Sequence, residues 1–152
     1  MKKLHYAILV CMVFILTGIS VLSADSLSKV EAANLINRSA AIIRTAQRFA
    51  TEGKKYDGLG ITIGHQLYAK QLYNQGNYSH AGFHSLRARG LAAQVISLNK
   101  NSIINEALYN RNEEKLLRSS PSGQELDRRL KEAKINIISD QAATNLDTEL
   151  EV

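Results

Sequence analysis

The chain has 152 residues, of which 45% are hydrophobic and 22% are charged. Its formal net charge of +5 at pH 7 is a modest excess that does not argue for nucleic acid as a partner. The single cysteine, Cys11, excludes an intramolecular disulfide. It also excludes sites built from several thiolates, such as iron–sulfur clusters.

The N-terminal segment has the layout of a bacterial secretory signal peptide, predicted to occupy residues 1–24. Lys2 and Lys3 precede a continuous apolar run, and small residues follow it. We expect cleavage after Ser23 or Ala24 and export to the periplasm or the outside of a bacterium. The alternative is an uncleaved membrane anchor, because the apolar segment is about as long as the shortest membrane spans, ~17 residues.

Helical periodicity runs through the rest of the chain, which contains a single proline. The pattern predicts five helical segments, at residues 26–52, 59–75, 78–98, 103–118 and from 122 to about 145. Short loops between helices favour antiparallel neighbours. We therefore predict an all-α fold, an up-and-down helical bundle of four to five helices. Residues 25–146 would form a single helical domain, and 147–152 an acidic disordered tail.

Three histidines are predicted to converge in the second and third helices. His80 and His84 are one turn apart on an apolar face, and the turn at residues 76–77 would bring His65 close to them. Such a set could bind a transition metal or a non-covalent haem. The alternative is a crowded core in which the imidazoles bond to tyrosines or backbone. No Asp or Glu between residues 58 and 105 could orient them.

The same region carries only positive charges: Lys70, Arg87, Arg89 and Lys100. They predict a surface that docks an anionic partner or a membrane. The alternative is a solvated face that pairs with the acidic C-terminal region. Arg87 and Arg89 would point to different sides of their helix, so they would not form one clamp.

A short stretch, "LYAKQLYNQGNYSHAGFHSLRARGLA", resembles a single tetratricopeptide-type hairpin over about residues 59–98. The resemblance rests on small, glycine and aromatic positions: Ala69, Gly76, Tyr78, Ala81 and Ala88. It implies a helix–turn–helix used for binding a protein or peptide, a unit that the family usually repeats in arrays.

Sequence motifs for catalysis are missing: there is no phosphate-binding glycine loop, no zinc-protease histidine pair and no nucleophile elbow. We therefore predict a non-enzymatic, exported helical protein without a cofactor. It would act through protein–protein contact, with another protein or with itself, as a structural, assembly or accessory factor. Membrane contact would come only through an uncleaved signal. The alternative function is a metal- or haem-binding bundle that uses His65, His80 and His84.

Overall fold

The structure, a computed structural model, describes residues 27–102, 104–145 and 149–152. Within these ranges it contains five α-helices and no strand: α1 Lys29–Gly53, α2 Leu59–Asn74, α3 Tyr78–Lys100, α4 Arg111–Ser119 and α5 Gly123–Glu132. Two short 3-10 turns, Asn105–Ala107 and Ala142–Thr144, complete the helical elements. The predicted all-α helical bundle is confirmed. The signal peptide predicted for residues 1–24 lies outside the described residues.

The three long helices run up, down and up. At one end of the molecule, the Leu27 amide donates to Ser79 Oγ over 3.2 Å, which ties the start of α1 to the start of α3. At the other end, Gly53 lies against the side chain of Asn99. Helices α1 and α3 are therefore parallel. Helix α2 runs antiparallel to both, because a short turn with Gly76 at φ 78° reverses the chain before α3 begins.

Helix α1 is defined by its cap and its apolar face. Ser28 Oγ accepts a hydrogen bond from the Glu31 amide, and the Glu31 carboxylate accepts one from the Ser28 amide, which forms a capping box. A buried stripe of alanine and isoleucine faces the bundle: Ala32, Ile36, Ala40, Ile43, Ala46 and Ala50. Burying each isoleucine contributes about 1.5–3 kcal/mol to stability. In the described part of the chain, no helix is long and apolar enough to cross a bilayer.

The C-terminal half is less helical than its sequence pattern predicted. The fourth segment was expected from residue 103, but α4 begins after Asn110, which forms a second capping box with Glu113. The fifth was expected to continue to about residue 145, but α5 ends at Glu132. Lys134 is left-handed at φ 54°, and residues 135–139 have no helical structure. A left-handed residue cannot continue a right-handed helix, so the chain leaves α5 there.

The segment that follows α5 crosses the start of α2. Gly58 stands at the N-cap of α2 with φ 87° and supplies no side-chain cap. The Asp140 carboxylate takes over that role, because its two oxygens accept from the amides of Gly58 at 3.0 Å and Gly60 at 2.7 Å. A Cβ on Gly60 would lie 2.2 Å from the Ile138 carbonyl oxygen. Only glycine permits this crossing.

The end of the chain packs on the bundle rather than standing free. We predicted a disordered acidic tail at residues 147–152, and the structure describes 149–152 of it. Leu150 is 1% exposed and belongs to the main apolar core. Backbone and side-chain contacts described below hold these four residues between α1 and α2.

Candidate functional site

Two of the three candidate histidines meet inside the α2–α3 hairpin. His65 and His84 are both fully buried, their Nδ1 atoms lie 2.9 Å apart, and their rings stack with centroids 5.1 Å apart. Tyr68 packs edge-on against His84. The hairpin geometry expected from helical periodicity therefore brings these two imidazoles into a direct hydrogen bond.

A carboxylate from outside the hairpin completes this group. Asp127 Oδ1, on α5, lies 2.9 Å from His65 Nε2. The same carboxylate accepts two hydrogen bonds from Arg87, Nε to Oδ1 at 2.9 Å and Nη2 to Oδ2 at 2.8 Å. This is the fork geometry in which arginine and a carboxylate bind most strongly. The sequence offered no acidic residue in the hairpin, and α5 supplies one.

The hydrogen bonds fix the protonation of the two rings. A carboxylate can only accept, so neutral His65 carries its proton on Nε2 and its Nδ1 accepts. His84 must then carry its proton on Nδ1 and donate it to His65. Burial and the neighbouring His65 lower the pKa of His84 to about 3. Burial also lowers the pKa of His65, opposed by its bond to Asp127. Both rings are neutral at pH 7 and are shielded from solvent.

His80 does not join the other two histidines. Its Nδ1 lies 2.8 Å from Asn77 Oδ1 near the start of α3, and its ring meets Phe83 edge-on. Among the described residues, no three side chains of the His, Cys, Asp or Glu types are grouped so that they could hold a metal ion. Metal or haem binding by His65, His80 and His84 stays a prediction.

A second buried charged group lies where α4 covers α3. Arg89 is fully buried, and its Nη2 forms an ion pair with Glu113 Oε1 at 2.6 Å. None of its guanidinium nitrogens has a hydrogen-bond partner among the described residues, although its plane packs on the Tyr109 ring at 5.0 Å. Arg38 also pairs with Glu113, at 3.2 Å. Two cations thus share one carboxylate.

The predicted positive surface is divided by this arrangement. Arg89 is interior, so it does not belong to an exposed surface, because α4 and Tyr109 cover the helix face that the sequence left open. Arg87 is half-buried on Asp127. Lys100 stays exposed and pairs with Glu52 at 3.3 Å. Lys70 bonds to the Glu149 carbonyl oxygen, which puts it at the edge of the feature described next.

A groove between α1 and α2, which we call the tail groove, holds residues 149–152 through their backbone. Gln66 is fully buried, and its Nε2 donates to the Leu150 carbonyl at 2.8 Å and to the Ile36 carbonyl at 2.9 Å. Ser85 Oγ donates to Gln66 Oε1 at 3.2 Å, which fixes the orientation of the amide. Gln66 thus presents a positioned donor to the backbone of residue 150.

The outer edge of the tail groove is polar and basic. The Asn37 side chain accepts from the Val152 amide at 2.9 Å and donates to the Val152 carbonyl at 3.1 Å. Arg44 Nη1 lies 2.6 Å from Glu151 Oε1. Sequence reasoning missed this feature, because it treated the last residues as a solvated tail. The signal was one leucine between glutamates, the alternation that an extended segment needs to bury one side chain.

Comparison with known proteins adds no relative. No family model matches the chain, and neither a curated protein nor a solved structure is significantly similar to it. The resemblance to a tetratricopeptide hairpin therefore stays a prediction.

Proposed function

We propose that this is a non-enzymatic, exported helical protein that acts as a structural, assembly or accessory factor by contact with another protein. The tail groove between α1 and α2 would receive an extended segment of that partner. The pattern of residues 1–24 supports export. The absence of catalytic motifs from the sequence and the burial of the His65–His84 pair support a binding function.

The observation that carries this proposal is how the tail groove holds its present occupant. Lys70, Gln66 and Asn37 donate to the main-chain carbonyls of residues 149, 150 and 152, respectively. Asn37 also accepts from the amide of residue 152. Main-chain contacts of this kind bind extended peptides with little regard to their sequence, while pockets for alternate side chains add specificity. A second segment of similar backbone conformation could make the same bonds.

The experiment is a selection of displayed random peptides against the purified protein carrying Leu150→Asp. A carboxylate in the Leu150 position disfavours the docked tail, because a buried charge without a partner is strongly destabilising. We expect enriched peptides that compete with one another for one site. A photoreactive amino acid replacing Arg44, at the groove edge, should cross-link to the selected peptides.

The matched control carries the photoreactive group in place of Lys131, an exposed residue on α5, a helix that does not pack on α1. Cross-linking from position 44 and not from position 131 would place the peptide in the tail groove. Failure of every displayed peptide to enrich, or equal cross-linking from both positions, would overturn the proposed function.

A further inference from the structure

We infer that the segment now in the tail groove is an internal competitor, and that the partner segment it excludes is acidic, extended and centred on one buried leucine. This inference rests on the proposed function and deepens it. It assigns the ligand class of the groove and the way in which access to the groove is regulated.

The leucine requirement comes from the depth at which residue 150 is held. Glu149 and Glu151 are exposed, while Leu150 between them is 1% exposed. Neighbouring side chains of an extended segment point in opposite directions, so only every second one can enter the core. The groove therefore selects one large apolar side chain and leaves its neighbours to the solvent.

The acidic requirement comes from the charges along the groove edge. Arg44 pairs with the Glu151 carboxylate, and the Lys70 ammonium donates to the backbone carbonyl of Glu149, so that a second cation lies at this edge. Exposed ion pairs contribute little to affinity, but they discriminate against like charge. A segment with lysine or arginine on both sides of its leucine would be rejected by Arg44 and Lys70.

The competition is strong because the tail groove and its competitor belong to one chain. A tethered segment acts at an effective concentration on the order of 1 mM. If the tail segment has an intrinsic Kd of about 10 μM for the groove, it would weaken the apparent binding of an external peptide by about 100-fold. Intact protein is therefore mostly closed, and a partner must bring additional contacts or a higher local concentration to open it.

The test uses the full chain and a fluorescent synthetic peptide with the sequence of residues 144–152. We expect the peptide to bind the Leu150→Asp protein about 100-fold more tightly than the unaltered protein. A peptide in which the leucine corresponding to Leu150 is replaced by Asp should not bind. Circular dichroism melting shows whether Leu150→Asp leaves the bundle folded. Glu151→Lys, an exposed substitution that keeps Leu150, is the second opened variant if it does not.

A charge exchange tests the acidic requirement independently. Arg44→Glu, introduced into the opened variant, should lower peptide affinity about tenfold, and a peptide with Lys in place of Glu151 should recover it. Arg48→Glu, at an exposed position one turn further along α1, is the matched control and should leave both peptides unaffected.

Three results would overturn the inference, and each differs from a failure of the proposed function. Equal peptide binding by opened and unaltered protein would show that the tail is not a competitor. Selection of basic or leucine-free peptides by the opened variant would show that the ligand class is wrong while the groove still binds peptides. A dimer of unaltered protein that dissociates on dilution, and that Leu150→Asp abolishes, would show that tails are exchanged between two copies.

Discussion

Two buried groups of polar side chains pack against opposite sides of α3. They differ in how many of their polar atoms form hydrogen bonds. On the side of α5, His65, His84, Asp127 and Arg87 form a chain in which each contact has hydrogen-bond geometry. On the side of α4, Arg89 is as deeply buried, but its nitrogens have no hydrogen-bond partner among the described residues.

The difference shows that a deeply buried charge need not stabilise the fold. In the first group, neutral imidazoles occupy the most buried positions, and the ionised pair of Arg87 and Asp127 remains partly exposed to solvent. In the second group, an ionised arginine occupies the deepest position, and Glu113 is its counter-ion among the described residues. A buried ion pair contributes little net stability, but removal of one partner is severe. We expect the two groups to respond differently to mutation.

The largest effect should follow removal of the Glu113 charge. Glu113→Gln leaves Arg89 and Arg38 without a counter-ion, and we expect a loss of about 3–5 kcal/mol in the free energy of unfolding. Urea denaturation followed by circular dichroism measures it. Glu114→Gln, at an exposed position on the same helix, should change stability by no more than about 0.5 kcal/mol. Equal effects of both variants would show that Arg89 does not need Glu113.

Acid should destabilise the protein through the histidine group. The pKa values of His65 and His84 are lowered in the folded state from 6.5, so the unfolded chain binds more protons as the pH falls below 6.5. Above pH 6.5 these histidines do not lower the free energy of unfolding. Below it, the free energy of unfolding falls towards pH 3 by about 1.4 kcal/mol per pH unit for each histidine that stays neutral in the folded protein.

The groups that face the two rings define the control for this pH dependence. Asp127 favours their protonation, while Arg87, His80 and Arg129 oppose it. The carboxylates whose pKa values are lowered in the folded state have pKa values of 4.5 or below in the unfolded chain. The change in folding stability between pH 6.5 and 4.5 is therefore attributed to the histidines. His84→Gln should flatten the stability profile there, and His80→Gln should flatten it less. A profile unchanged by His84→Gln would contradict the assignment.

Loss of Asp127 should have an intermediate effect. Asp127→Ala removes the acceptor of His65 Nε2 and the fork of Arg87, which we expect to lower the free energy of unfolding by about 2 kcal/mol. Arg87 can turn to solvent, which limits the loss. Gln124→Ala, at an exposed position on α5, is the matched control for thermal melting. A loss as large as that of Glu113→Gln would erase the contrast between the two groups.

The smallest effect should come from replacing Arg89 itself. Arg89→Met keeps an unbranched apolar side chain and removes a buried guanidinium, while Glu113 keeps Arg38 and the Asn110 amide. We expect a change within about 1 kcal/mol, or a gain in stability. Combined with Glu113→Gln, it should remove most of the penalty of that variant. A large loss for Arg89→Met alone would show that packing on Tyr109 dominates.

The first half of the fold could be predicted from local pattern alone. The ends of α2 and α3 fall within two residues of the prediction, because Gly58, Gly76 and the apolar periodicity act on neighbouring residues. The second half could not. The capping box of Asn110 and the left-handed Lys134 redirect the chain, and the crossing at Gly60 depends on a contact between distant segments.

The candidate site was predictable to the same extent. The meeting of His65 and His84 follows from the length of one hairpin, whereas Asp127 arrives from a helix whose docking no local pattern specifies. Arg89 lies on the side of α3 opposite the histidine face, a position that indicates an exposed residue. Nothing in its own helix indicates that α4 covers it. Leu150 is one apolar residue among acidic ones, and its burial could not be predicted without knowledge of the groove that receives it.

The N-terminal cap of α2 depends on a residue that is synthesised long after the helix itself. Helix α2 obtains its N-terminal acceptor from Asp140, which lies 82 positions beyond the Gly58 amide and 80 beyond the Gly60 amide. A ribosome adding about 5–20 residues per second takes roughly 4 to 16 s to cover that distance. Until residue 140 has been added, the amides of Gly58 and Gly60 lack this acceptor, whereas α1 has its cap within its own first turn, from Ser28 and Glu31.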